Sequence, residues 1–477
     1  MVENQPTRVV IAGGGPVGLL AASVLLSRKN KSYDVCVLEA KDDPRYSQPG
    51  PRSYSIGLNI RGRSAIRELE DLSVCPGLWS DISRQGVESD SFFLHIGKQK
   101  FHIRKPSPKI SSDDAEVPPT LLIQRNKLCD AMIRNLERNY LSSNRLKINF
   151  NSRILNINLA AKTIITTGNQ EYKYDLLIGA DGVQSAVRNS LLGEGTSGAD
   201  GFKAEEILLS GQYKVMLNPT PESLELHAIH AMENKTSNFS LFVIPTTENR
   251  TCTLVSWKKI GEKVSPSDVP DSQSTSTLNF FDQSTPMEEV KRSIAESYPV
   301  FGEPSDEAVM QLRSQMPSEI RTIRCNRYHH SEHRVVLMGD SAHSTGGSLG
   351  QGANSGLQDV LAFAKLLEAQ QDDLQRTLSA FSEQQSPEGL ALWQLLQLPP
   401  RGLWTFPYQI IQFFLNFINK LKIFRRAKFI QKFMPKPIQI LLSQTLTPFT
   451  QIVKLNAFWI HLALRNKTDM RFSPEQQ

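Results

Sequence analysis

The chain has 477 residues, 39% of them hydrophobic and 21% charged, with 28 Gly and 27 Pro. That profile excludes collagen-like, mucin-like and wholly disordered chains, and at about 150 residues per domain it allows two or three domains with a sizeable core. The net charge of +6 is uneven: from Leu390 onward there are 12 Lys or Arg against 2 Asp or Glu, a basic, apolar tail on a slightly acidic body. A local interaction surface fits that asymmetry; a general nucleic-acid binder does not.

Residues 1–7 are polar and hold no apolar signal core, so no secretory leader is expected. Residues 8–12, Arg-Val-Val-Ile-Ala, suit a buried parallel strand. They meet Gly13-Gly-Gly-Pro-Val-Gly18 and then a Leu- and Ala-rich stretch, 19–27, that predicts a helix. A second strand over 34–38 ends at Glu39, completing a βαβ unit of about 30 residues. The first glycine permits the tight turn, the second lets backbone approach a pyrophosphate, and the third lets helix and strand pack closely. Helix amides then face the phosphates, and Glu39 stands where a carboxylate accepts from ribose hydroxyls. Dinucleotide binding is the reading that uses strand, turn, helix and acid together.

Further along, 61–69 and 127–136 read as helices, and 105–119 as a loop without apolar periodicity. Residues 174–179 form another strand, leading into Ala180-Asp181-Gly182. From 201 to 317 the pattern alternates, as at 240–244 and 251–257, which predicts an antiparallel sheet. A strand returns at 334–338 before Gly339-Asp340, and a glycine-rich loop from Gly346 to Gly356 opens a helix running to 368. The expected architecture is α/β: a Rossmann-like dinucleotide-binding domain interrupted by a β-rich second domain, with a helical C-terminal region. The dinucleotide domain takes 1–75, 121–195 and 321–385; the β-rich domain 76–120 and 196–320; and a basic, apolar cap 386–477. Five scattered cysteines, Cys36, Cys75, Cys129, Cys252 and Cys325, contain no CxxC pair. They argue against a disulfide framework or zinc site and fit a reducing, cytoplasmic setting.

The N-terminal fingerprint, YDLLIGADGVQSAVR at 174–188, and VVLMGDSAH followed by GQGANSGLQD at 335–359 stand in one order over most of the chain. Together they resemble the single-component flavoprotein monooxygenases of the p-hydroxybenzoate hydroxylase class. Within that class, the segment Arg52-Ser-Tyr-Ser-Ile-Gly-Leu-Asn-Ile-Arg-Gly-Arg63, and Phe433-Met-Pro435 with Ile438 and Phe449, are similar to the kynurenine 3-monooxygenases. The resemblance is loose over 190–330. It implies FAD held by Gly13, Gly15, Pro16, Val17, Gly18, Glu39, Arg52, Arg125, Asp181, Gly182 and Asp340. Gly350, Gln351, Gly352, Ala353 and Asn354 would bring a helix N-terminus to the flavin. It also implies NADPH or NADH as a visiting reductant, O₂, a small-molecule substrate, no metal, and no obligatory catalytic side chain. Alone, Asp181-Gly182 is an ordinary turn, Arg188 a surface salt-bridge partner and His343 a packed histidine.

The substrate side departs from the family. Where it holds the substrate carboxylate with an arginine and a tyrosine, this chain places Asp90 and a position near Ile103 or Arg104. An acid at Asp90 would repel a carboxylate that arginine binds in bidentate fashion. Gly347, Ser348 and Leu349 replace a proline and two phenylalanines, and Gln394 and Gln397 replace polar and acidic pocket residues. Asp90, Arg104, His230, Gln394 and Gln397 are the substrate-side candidates. They imply a hydroxylase related to the kynurenine enzymes but with a larger or less polar substrate. The alternatives are the kynurenine reaction itself, a flavin-dependent halogenase (no Trp-x-Trp-x-Ile-Pro motif is present) or prenyl-chain reductase, and a non-catalytic flavin-binding, membrane-associated protein.

Residues 402–419 carry no charge and include Trp404, Phe406, Tyr408, Phe413, Phe414 and Phe417, followed by a Lys/Arg cluster over 420–432. Pro407 and the interspersed Gln and Asn disfavour a transmembrane span. Two compatible readings remain open: a cap packed on the core, and a peripheral membrane contact through 402–464 with aromatics at the interface and cations toward anionic lipid. With the chain ending at Gln477, the additional membrane anchor of eukaryotic kynurenine 3-monooxygenases is not expected.

Overall fold

The structure, a computed structural model, describes residues 5–46, 54–104, 117–193, 201–258, 281–347, 349–400, 404–420 and 437–465. A six-stranded sheet runs in the order His329–His330, Val335–Leu337, Leu176–Gly179, Thr7–Ala12, Tyr33–Leu38, Leu146–Asn149. Its neighbours are parallel except at the short His329–His330 edge. Val9 to Ala12 and Leu176 to Ile178 are buried in one apolar cluster with helix Pro16–Leu26 and with Ile164 of a three-stranded sheet (Ile154–Asn158, Thr163–Thr166, Glu171–Lys173), and this is why these strands read as continuous apolar runs. Helix Pro16–Leu26 lies between the sheet and helices Arg125–Tyr140 and Gly352–Ala369, so it is apolar on nearly every side.

A seven-stranded sheet has the order Ser318–Cys325, Ala204–Pro219, Arg250–Lys258, Phe239–Thr246, Ala228–Glu233, Ser91–Ile96, Gln99–Arg104. One face packs Met216, Met232, Leu241, Val243 and Val255 against helices Met287–Ser297 and Asp306–Ser314. The other carries Tyr213, Ile229, Ala231, Ser240, Phe242, Leu254 and Ser256, which are half-buried or exposed. This second face turns toward strand Ser55–Leu58 and the loop before helix Gly352–Ala369: Cys252 lies against Ser55, Thr322 bridges to Thr345, and Ile320 sits under Gly346.

Helix Leu374–Leu395 carries the chain to helices Thr405–Lys420, Ile438–Gln444, Phe449–Leu455 and Ala457–Leu464. They share an apolar cluster in which Leu392, Leu395, Tyr408, Leu441, Leu442 and Ile452 meet Leu349. The C-terminal helices therefore cap the loop that precedes helix Gly352–Ala369. Among the described residues no helix is long and apolar enough to cross a membrane.

Candidate dinucleotide and substrate site

The fingerprint turn is dictated by contact distances. Gly13 has φ +102°, and a Cβ there would lie 2.3 Å from the Ala180 carbonyl oxygen; at Gly18 it would lie 2.1 Å from the Gly13 oxygen. Neither position admits another residue without moving backbone. Pro16 occupies the first turn of its helix, where a missing N–H costs nothing, and Gly15 stands at the N-cap without a side-chain cap. The first helical amides are thus left for an anion. Val17 packs into the space left by Gly339 and Gly356. Glu39 accepts from the Gly14 amide at 2.8 Å and from the Lys41 amide at 2.9 Å, keeping lone pairs for a ribose. Arg125 is placed with a guanidinium nitrogen 3.1 Å from where a Gly15 Cβ would stand, and no carboxylate of the described residues lies within ion-pair distance of it. A half-buried cation at a bare helix N-terminus fits a pyrophosphate. Arg52 lies outside the described residues.

Asp181 follows the strand Leu176–Gly179, and its Oδ2 accepts from the amides of Ala186 (2.7 Å) and Val187 (3.2 Å), capping helix Ala186–Gly193. Its Oδ1 is buried without a partner, and burial pushes the carboxyl above the usual range against those bonds. Gly182 supplies the φ of +78° that turns the chain. Arg188 is not at the surface: it is buried and donates to the carbonyls of Ser341 (3.0 Å) and Val183 (2.7 Å), strapping this turn to the Asp340–His343 helix. Burial also raises the Asp340 carboxyl, with His343 and Arg125 opposing. His343 is a packed residue, its Nε2 2.6 Å from Asp359; burial pushes the imidazole down, but that carboxylate holds it above its ordinary value.

In the 350–354 loop, Gly350 takes φ +62° and Gln351 is the N-cap residue of helix Gly352–Ala369. Two side chains of this loop are engaged within the protein. Asn354 spends its Oδ1 on the amides of Asn59 and Gly62 and its Nδ2 on the carbonyls of Gly57 and Gly350. The Gln351 amide is likewise engaged by Asn59 and by the Leu349 carbonyl. Their side chains shape the loop; the backbone of Gly352 and Ala353 is what remains for a flavin.

The substrate-side candidates do not converge. Asp90 is exposed and accepts from the Ser91 hydroxyl. Arg104 donates to the carbonyls of Asp90 and Ser89 and to Thr120 Oγ1, so it is a clasp between strands rather than a carboxylate clamp. His230 lies on the sheet face shared with Met232, stacked on Phe93 and 3.1 Å from His95, opposite the face that meets strand Ser55–Leu58. Gln394 and Gln397 are half-buried at the end of helix Leu374–Leu395, Gln397 donating back to the Trp393 carbonyl. The opposite face carries Phe92 edge-on to Phe242 (centroids 6.2 Å apart), with Ile229, Leu254 and the Ser240–Ser256 hydroxyl pair. Arg324, on the same side, is ion-paired with Glu205 and stacked on Trp393.

Residues 6–389 match the model of a family described as an FAD-binding domain. The chain belongs to that family. It is an FAD-dependent oxidoreductase of the flavoprotein monooxygenase class. Among relatives, it is 25% identical over 403 residues to the kynurenine 3-monooxygenase of Sus scrofa, covering 82% of this chain and 75% of the relative. It is 24% identical over 391 residues to the violacein synthase of Chromobacterium violaceum, covering 79% and 81%. The fold is shared with 2-methyl-3-hydroxypyridine-5-carboxylic acid oxygenase at TM-score 0.60 and 18% identity, covering 82% of this chain and 90% of that one.

Two residues of this flavoprotein site escape sequence reading. Tyr54, whose carbonyl accepts from the Arg125 amide, has its hydroxyl pushed up to about 12 by burial, with Arg125 opposing and Asp340 and Tyr213 nearby. Asn59 caps helix Ile60–Asp71 and ties it to Gln351. Asn before a helix is a legible cap signal; the second bond, across the fold, has no local signature.

Proposed function

We propose that this chain hydroxylates an uncharged or weakly polar aromatic substrate, taking both electrons from NADPH or NADH. The balance is substrate, O₂, NAD(P)H and a proton giving hydroxylated substrate, NAD(P)⁺ and water. Bound FAD supplies hydride acceptance and oxygen activation; the protein supplies the rest. Gly15, the following amides and Arg125 neutralise the pyrophosphate, Glu39 and Asp340 accept from sugar and ribityl hydroxyls, and the N-terminus of helix Gly352–Ala369 favours negative charge on the reduced ring. The observation that carries the substrate class is the sheet face of Phe92, Ile229, Phe242 and Leu254, beside which the guanidinium of Arg104, paired with Phe92 across the strands, is already engaged. A free substrate carboxylate would be desolvated there without that guanidinium to hold it. Turnover under ¹⁸O₂ with the protein reconstituted with FAD tests the reaction: one labelled oxygen in the product supports it. Reductant consumption yielding only hydrogen peroxide with every aromatic tried speaks against it.

A second reading concerns partners. A peripheral membrane contact through 402–464 is supported by helix Thr405–Lys420, which leaves Phe406 (69% exposed), Phe413 (71%) and Phe414 (60%) in solvent, with Phe458 alongside Trp404. Seven Lys or Arg and no acid follow over 420–436.

A further inference from the structure

We infer that Arg61 is a positioning residue that couples docking of the C-terminal cap to the geometry of the flavin loop. Arg61 is buried in helix Ile60–Asp71 and forms no ion pair among the described residues. Its guanidinium donates to the carbonyls of Leu441 (3.3 Å), Leu442 (3.1 Å) and Thr447 (2.5 Å), which end helix Ile438–Gln444 and open the next turn. The same group lies 4.2 Å from the Phe449 ring centroid. A cation against the negative end of a helix, forked over three carbonyls, is geometry that lysine cannot reproduce. Glu388, the nearest acid, does the complementary work: it accepts from the amides of Phe449 (2.6 Å) and Thr450 (3.3 Å), at the start of the following helix. The body thus grips one cap hairpin at both of its exposed backbone ends.

The other side of Arg61 leads to the flavin loop without an intervening solvent gap. Its amide donates to Asn59 Oδ1 at 2.9 Å, and its carbonyl accepts from Gln358 at 2.6 Å. The flanking amides of Asn59 and Gly62 both donate to Asn354 Oδ1, and Asn354 in turn holds the Gly350 carbonyl at 2.9 Å. The contact is tight enough that a Cβ at Gly62 would lie 2.5 Å from that oxygen. Leu349, packed in the cap's apolar cluster, joins loop and cap by a second route. Two elements that share so small a buried polar network cannot shift independently, since each broken bond leaves a buried group unpaired. Coupling of this kind is reciprocal: if a docked cap favours the loop that binds FAD, bound FAD favours the docked cap by the same factor.

The inference rests on the flavin reading of the 350–354 loop, and one experiment separates the two. Hydrogen exchange over residues 437–465 is followed in the full chain with and without FAD, alongside FAD titration of wild type, Arg61→Gln and Arg61→Lys. In wild type, FAD slows exchange in the cap. Arg61→Gln weakens FAD binding by at least about tenfold, removes that protection and alters the flavin absorbance spectrum of the holoprotein. Arg61→Lys, which keeps the charge and the fold, falls between the two. Wild-type and Arg61→Lys FAD affinities within twofold of each other, with cap exchange indifferent to FAD, overturn the coupling. No FAD binding by wild type overturns the flavin reading and the coupling with it.

Discussion

Burial against Phe93 and His95 pushes the His230 imidazole down to about 4 from 6.5, with His95 and Lys100 adding to the effect and Glu225 opposing it. Between those pH values the unfolded chain binds a proton that the folded chain does not, so stability rises with pH across that window. It is lost as pH falls from 6.5 toward 4, by about 3 kcal/mol at the lower end. His230→Gln removes this dependence. Its Tm therefore falls less steeply than wild type over that window, and parallel curves would contradict the burial argument. The same residue marks a limit of sequence reading. His230 reads as a substrate-side candidate, yet which face a strand residue takes depends on register: pairing with Phe93 and Val243 puts it on the Met232 face, away from Phe92 and Ile229. Arg104 and Asn354 were legible as polar groups near the site. Their engagement was not, because the partners are backbone carbonyls and amides far away in sequence.

At the scale of elements, the glycine-rich turns and parallel strands were readable from residues alone. Strand Thr7–Ala12, helix Pro16–Leu26 and strand Tyr33–Leu38 fall within a few residues of expectation, since turn chemistry and continuous apolar runs act locally. Helix Arg125–Tyr140 is longer at both ends than 127–136, because tertiary packing carries its polar termini. In the C-terminal helices as far as they are described, one side joins the cluster around Leu441, as a packed cap requires, and the other leaves aromatics in solvent. That exposed side makes a prediction. Phe413→Ser/Phe414→Ser, at two exposed positions outside the cap cluster, lowers co-sedimentation with phosphatidylserine vesicles at least about tenfold while leaving FAD binding unchanged. Equal binding of the variant, or no binding by wild type, removes the membrane contact from the account.

For the whole molecule, the seven-stranded sheet meets the 344–354 loop through Thr322 and Ile320, and a cap touches the same loop through Leu349. The oxidoreductase class rests on the family match over residues 6–389, and the proposed substrate class on the apolar face of that sheet, beside which Arg104 is engaged. The most direct test is anaerobic stopped-flow reduction of bound FAD by NADPH, with kynurenine and with a panel of uncharged aromatics such as indoles and phenols. The account predicts reduction hardly altered by kynurenine and accelerated about tenfold or more by at least one uncharged compound. Strong acceleration by kynurenine alone would contradict it, showing that a carboxylate is held although Arg104, the described guanidinium beside that face, is already engaged.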